Sequence, residues 1–300
     1  MKAPATTAPV VALPWWPAPE PVGAHLARTI EQARAQARSA LAVYLPVGYP
    51  DQATGREALH LLAQSADVIE LGIPHPGVLD GPTIQDASRT ALAAGFRMRH
   101  LFEAARELSA TSAAALVVTS YWQPVHAYGP ARFAARAAAA GISGVLLPDL
   151  PLEESRDWLE AARAAGLAAI PLVSSRTTPE RLARITAMAT SMIYAPATDG
   201  ITGNGPSISA TLPHLISRLR SLTDLPIAAG IGISTPDQAR AAARWADLVA
   251  VGSAVIRHMH AHPRAPVKAA AAAGQAFAAA LRTPHSSTDH ARHPIQEDHA

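Results

Sequence analysis

Two carboxylates stand ten positions apart in the segment VIELGIPHPGVLDGPTIQ, Val68 to Gln85. Glu70 closes a short apolar run, and Asp80 follows across a loop of prolines and glycine. A glutamate carried inward by an apolar run is desolvated, and the strand-end stretches of this chain offer few cations to pair with it. Desolvation raises a carboxyl pKa toward the range where one group both gives and takes a proton. Glu70 is therefore a candidate acid-base group, the structural alternative being an ion pair with a neighbouring Lys or Arg. Asp80, before Gly81 and Pro82, has the position of a turn residue or helix cap as much as of a functional carboxylate.

A second set of residues lies in the C-terminal third: DGITGNG from Asp199, AGIGIST from Ala229 and VGSAVI from Val251. Glycines directly after strands allow close backbone approach, and Gly252-Ser253 opens a helix whose free N–H groups face an anion. Taken singly, each glycine makes no more than a tight turn. Together, after consecutive strands, they form a candidate phosphate cradle. His75, His126 and His214 fall in different loops and helices without the spacing of a catalytic metal site, so no catalytic metal is expected.

The elements that must position these groups alternate along the chain. Apolar runs at Leu41 to Val47, Asp67 to Leu71, Ala114 to Thr119, Gly144 to Leu147, Ala168 to Leu172, Met192 to Ala195, Pro226 to Ala229 and Leu248 to Val251 make eight candidate strands. Ala-rich helical patterns lie near 54–65, 83–94, 98–109, 130–140, 152–165, 179–188, 209–221, 236–244 and 253–261, several opened by Ser, Thr or Pro, as in STPDQARAA from Ser234. Eight βα units whose strands have no wet face predict a closed (β/α)8 barrel rather than an open sheet. His25 to Arg38 would plug its bottom, and Val267 to Leu281 would add a last helix. In such a barrel the C-terminal strand ends carry the chemistry, which puts Glu70 at the mouth.

The 300 residues, 49% of them hydrophobic, suffice for one such barrel over 25–281, between a Pro/Ala-rich arm at 1–24 and a polar, His-containing tail at 282–300. The 25 Lys and Arg nearly cancel the 23 Asp and Glu, which gives no basic face for nucleic acid. The absence of cysteine excludes disulfides and thiolate chemistry. No run reaches the roughly 18 apolar residues of a membrane span, and prolines interrupt any export-type apolar run near the start, so a cytoplasmic location is expected.

ELGIP, DGPTIQ, LLPDLPLEES, GITG, GIGIST and VGSAVI, in this order and over roughly Leu41 to Met259, resemble the alpha subunit family of tryptophan synthase. The resemblance implies a lyase that cleaves indole-3-glycerol phosphate to indole and glyceraldehyde 3-phosphate by a retro-aldol step without cofactor. It places the catalytic glutamate on Glu70, the catalytic aspartate on Asp80 and the tyrosine beside the glycerol chain on Tyr194. Phosphate contacts fall on Gly203, Gly232, Gly252 and Ser253, and Thr202 falls in the loop that closes over substrate. Where the family carries Phe-Ser-Asp-Pro-Leu-Ala, a segment docked on the beta subunit, this chain has the shorter HPGVL. A divergent member with weak dependence on a beta-type partner is expected. A non-catalytic phosphate-ligand-binding or regulatory homologue, or a lyase acting on another phosphorylated substrate, are the alternatives, since fold alone does not fix function.

Overall fold

The computed structural model describes residues 22–76, 80–198 and 208–282. The expected arm and tail therefore lie almost wholly outside the described residues. Eight parallel strands alternate with helices: α1 Ala24–Ala35, β1 Ala40–Pro46, α2 Gln52–Leu62, β2 Val68–Gly72, α3 Pro82–Ala93, α4 Met98–Thr111, β3 Ala115–Thr119, α5 Trp122–Tyr128, α6 Pro130–Ala139 and β4 Ile142–Leu146. There follow α7 Arg156–Ala164, β5 Ala168–Ile170, α8 Pro179–Met188, β6 Ile193–Pro196, α9 Leu212–Arg220, β7 Ile227–Gly230, α10 Pro236–Ala243, β8 Leu248–Val251, α11 Ser253–Ala261 and α12 Pro266–Leu281.

Neighbouring strands pair in the order β5-β4-β3-β2-β1-β8-β7-β6. The remaining seam, between β5 and β6, closes through an isolated parallel bridge from Leu172 to Tyr194, where Tyr194 N–H donates to the Pro171 carbonyl at 2.9 Å and Val173 N–H to the Tyr194 carbonyl at 2.9 Å. The expected strand to Leu172 ends at Ile170 because Pro171 has no N–H to continue the ladder. The result is the (β/α)8 barrel.

Every residue of β2, β4, β7 and β8 is buried, as strands with helices on one side and a filled interior on the other must be. Alternation then sorts the side chains. Leu41, Val43, Ile69, Leu71, Leu116 and Val118 pack outward under the helices. Ala40, Ala42, Val68, Ala115, Val117 and Ala228 point inward, into a narrow core that α1 closes from below with Leu26, Ile30 and Ala33, all fully buried. The predicted plug is thus present, ending at Ala35 rather than Arg38.

Helix starts follow local chemistry. The Asp51 side chain caps α2 by accepting from Thr54 N–H at 2.9 Å, which begins that helix earlier than expected. Thr235 and Gln238 form the capping box that the STPDQ segment predicts. The helix expected over 152–165 is divided into a 3-10 turn, Leu152–Glu154, and α7, and α9 starts at Leu212 rather than 209. Helix α5 was not expected; Pro124 sits within its first turn, where a missing N–H costs nothing.

At the bottom of the barrel, the partly buried Asp67 and the buried Asp247 are both partnered. Asp67 accepts a bidentate pair from Arg38 at 2.7 and 2.7 Å and the Leu41 N–H at 2.8 Å. Asp247 accepts from Arg34 Nε at 2.9 Å, from Ile227 N–H at 2.8 Å and from Arg220. Truncating the plug should be felt throughout this end: Ile30→Ala is expected to lower unfolding free energy by about 2–4 kcal/mol, measured by urea denaturation. The exposed Leu92→Ala should stay within roughly 0.5 kcal/mol.

Candidate active site

The inward face of the barrel, followed to the strand ends, gives the mouth. On β1 the inward row Ala40, Ala42 continues to Tyr44, which is registered beside Glu70 on β2. Thr119 ends the inward row on β3, and Tyr194 takes the same side on β6. These groups, with Asp80, Gly232, Gly252 and Ser253, line one cavity of about 720 Å³.

Glu70 is 3% exposed. Its Oε2 faces the Thr119 hydroxyl at 3.4 Å, and among the described residues its Oε1 has no hydrogen-bond partner. Burial pushes the carboxyl up to about 7, with the Thr119 hydrogen bond pulling weakly the other way. The desolvated, uncompensated glutamate read from the sequence is what the fold holds. Asp80 follows as the last residue before Gly81, the N-cap of α3, and burial raises it to about 6 against a lowering hydrogen bond from the Tyr121 hydroxyl. No cap hydrogen bond from a side chain opens α3. Asp80 and Glu70 line the same cavity, while residues 77–79 of the HPGVL segment lie outside the described residues.

Burial and the two carboxylates raise the Tyr44 phenol well above its usual value, and burial together with Glu70 does the same for Tyr194. Both stay neutral hydrogen-bonding groups. The mouth so combines two carboxyls poised near neutrality with phenols and a threonine hydroxyl, a set suited to moving protons.

Across the cavity the loops after β7 and β8 present main chain. Gly232 has φ +107°, and a Cβ there would collide with the Thr198 side chain. Beside it Ile231 holds φ +59°, a left-handed conformation that costs a β-branched residue roughly 1–2 kcal/mol; its carbonyl accepts from Thr198 Oγ1 at 3.1 Å. Gly252 is the N-cap of α11 and Ser253 its first residue, so the free N–H groups of that helix open on the cavity. This is an anion cradle built from backbone.

A family model described as tryptophan synthase alpha chain matches residues 30–282. The chain belongs to the tryptophan synthase alpha chain family. The alpha chain of Mycobacterium ulcerans is 41% identical over 235 residues, covering 77% of this chain and 87% of that one. The alpha chain of Streptomyces coelicolor is 41% identical over 233 residues, covering 77% and 86%. Among solved structures, Mycobacterium tuberculosis tryptophan synthase superposes with a TM-score of 0.80 at 36% identity, covering 86% of this chain and 98% of the other. The alpha subunit from Legionella pneumophila gives 0.75 at 30% identity, with 86% and 98% covered.

Of the residues that the family resemblance singles out, Glu70, Asp80, Tyr194, Gly232, Gly252 and Ser253 meet around the one cavity, while Thr202 and Gly203 lie outside the described residues. Sequence reasoning missed Tyr44, Thr119 and Tyr121. The signal for the first two was their inward parity at strand ends next to Glu70; Tyr121 carried none, since its contact with Asp80 is tertiary. The run His258, His260, His262 on and just beyond α11 also escaped notice. The His258 and His262 rings lie with centroids 4.7 Å apart, tilted by 43°, and among the described residues no group of three or more His, Asp or Glu forms a possible metal site.

The raised Glu70 pKa carries a stability consequence. The folded value, about 7, exceeds the ordinary 4.5, so the fold tolerates the acid and is strained by the carboxylate. Glutamate's contribution is fully favourable below about pH 4.5 and is lost as pH rises through 7. Glu70→Gln should therefore be more stable than the wild type at pH 8, on the order of 3 kcal/mol, and indistinguishable at pH 4. Paired urea titrations at the two pH values measure it; a pH-independent difference would refute the assignment.

Proposed function

We propose that Glu70, Asp80 and Tyr194 perform in this chain the reaction of its family. The protein is a carbon-carbon lyase of the tryptophan synthase alpha type, cleaving indole-3-glycerol phosphate to indole and glyceraldehyde 3-phosphate. Bond cleavage requires a proton at indole C3, removal of the proton from the glycerol hydroxyl, and stabilisation of the ring N–H as positive charge develops. Glu70, with a pKa at neutrality, supplies and withdraws the protons. Asp80, when ionised, holds the ring N–H, with Tyr121 fixing its orientation. Tyr194 lies beside the glycerol chain, and Gly232, Gly252 and Ser253 bind the phosphate through main-chain N–H groups. Thr202 and Gly203 belong in this reading to the loop that excludes water.

The observation that carries the reading is the contrast within one barrel. Asp67 and Asp247 at the bottom are each matched by arginine, whereas Glu70 at the top is buried with one oxygen unpartnered among the described residues. A non-catalytic holder of a phosphate ligand has no physical need of that unfavourable arrangement. The substrate is accordingly a phosphorylated indole compound.

The single barrel of 25–281 is proposed as the catalytic unit, acting in the cytoplasm; among the described residues no helix is long and apolar enough to cross a membrane. Tryptophan synthase alpha chains pair with a beta subunit. The replacement of the docking segment by HPGVL supports activity that depends only weakly on such a partner, the ordering of the loops being driven by substrate contacts.

Purified protein incubated alone with indole-3-glycerol phosphate should release indole and glyceraldehyde 3-phosphate. Glu70→Gln should reduce kcat by at least about 10² to 10⁴ without loss of phosphate binding. Near-normal turnover in that variant would move the chemistry elsewhere. The wild-type kcat/KM should fall below about pH 6 as Asp80 takes up a proton, and Asp80→Asn, slow at every pH, should lack this limb. Titration with a beta subunit from the same genome should stimulate less than tenfold, that is by less than about 1.4 kcal/mol.

A further inference from the structure

The cavity lining contains a second charged feature that neither the proton chemistry nor the backbone cradle uses. Among its described lining residues Arg176 is the single Lys or Arg, set against the acidic Glu70 and Asp80. It is exposed at the rim, and among the described residues its guanidinium has no hydrogen-bond or ion-pair partner. Nearby arginines are engaged: Arg181 makes a two-pronged contact to Glu153, Arg184 faces Glu153, and Arg218 donates to the Thr177 carbonyl at 2.8 Å.

The turn that carries Arg176 is held firmly. Ser174 N–H donates to Thr177 Oγ1 at 3.0 Å, Thr177 N–H donates back to the Ser174 carbonyl at 3.0 Å, and Arg176 N–H donates to Ser174 Oγ at 3.3 Å. Arg218 clamps the far side, and three residues upstream of Arg176, Val173 is tied to the Tyr194 carbonyl. The backbone that carries Arg176 is thus fixed to the same framework as the site.

We infer that Arg176 is an anion-capture residue at the outer mouth, taking the phosphate monoester of the incoming ligand before the neutral backbone cradle receives it. The need is electrostatic. A dianion approaching this cavity meets two carboxyls that are partly or largely ionised at neutral pH, and the cradle of N–H dipoles acts only at close range. One guanidinium at the rim offsets part of that repulsion along the approach and offers a planar pair of donors to a phosphate. Capture at the rim belongs to binding and not to the bond-breaking step. It rests on the functional reading above for the identity of the natural ligand, and on the cavity alone for its chemical class.

Arg176→Gln, Arg176→Lys and the charge-matched control Arg136→Gln, at an exposed position in the last turn of α6, separate the possibilities. Glycerol 3-phosphate binding is measured by calorimetry at low and high salt, and kcat and KM with indole-3-glycerol phosphate in parallel. Arg176→Gln should weaken glycerol 3-phosphate binding and raise KM by about tenfold at low salt, with kcat retained. The difference should shrink as salt shortens the screening length. Arg176→Lys should recover part of the loss, and Arg136→Gln should match the wild type. Equal affinity in Arg176→Gln and wild type, or an equal loss in Arg136→Gln, overturns the inference. If the wild type binds glycerol 3-phosphate through Arg176 but releases no indole, the lyase reading falls and the capture role stands. If indole is released with unaltered KM in Arg176→Gln, the reverse holds.

Discussion

The burial of one carboxyl without a cation is the constraint around which this barrel is arranged. Glu70 occupies an inward position on a strand whose five residues are all buried, so its side chain cannot turn to solvent without reversing the parity of the strand. The fold must then either supply a counter-charge or accept a raised pKa. It supplies a threonine hydroxyl at 3.4 Å and, among the described residues, no partner for the second oxygen. A carboxyl that titrates near neutrality follows from that choice, and so does a free-energy cost that the rest of the barrel has to absorb.

The surrounding structure shows how the cost is contained. Small inward residues, Ala40, Ala42, Ala115 and Ala228, leave room in the interior that α1 fills from below with Leu26 and Ile30. Water is thereby kept from reaching Glu70 from the bottom. The arginine-matched Asp67 and Asp247 secure the strand starts, where carboxylates accept backbone N–H groups at 2.8 Å. The two ends of the barrel thus treat the same residue types differently: carboxylates paired with arginine at the bottom, and carboxyls held by hydroxyl groups with raised pKa at the mouth.

The loops divide the remaining work. The loops after β7 and β8 present backbone, with the strained Ile231 beside Gly232 fixing the direction of the main chain, and strain of this kind persists where surrounding contacts over-determine a site. The loop after β2 brings in Asp80 and the residues after β3 bring in Tyr121, which meet only across the mouth. Neutral donors on one side and carboxyls on the other give the cavity a polarity matched to a ligand that is anionic at one end and aromatic at the other.

The order of elements, the closed parallel barrel, the candidate glutamate and the glycine-rich cradle were legible in the sequence because each depends on local pattern. Apolar runs separated by helical periodicity specify βα units, a carboxylate at the end of such a run is buried by strand parity, and Gly232 and Gly252 stand where no other residue fits as well. Boundaries shifted where a local partner intervened, as at Pro171 and Asp51. What tertiary structure alone decided is which groups meet. Thr119 lies 49 residues from Glu70, and Asp80 finds Tyr121 from a different βα unit. Whether Glu70 is paired is likewise a property of its neighbours in space, since a cation anywhere on four adjoining strands would have lowered its pKa. Sequence fixes the parity of a side chain along its own strand; closure of the barrel fixes what stands opposite it, and that determines its charge.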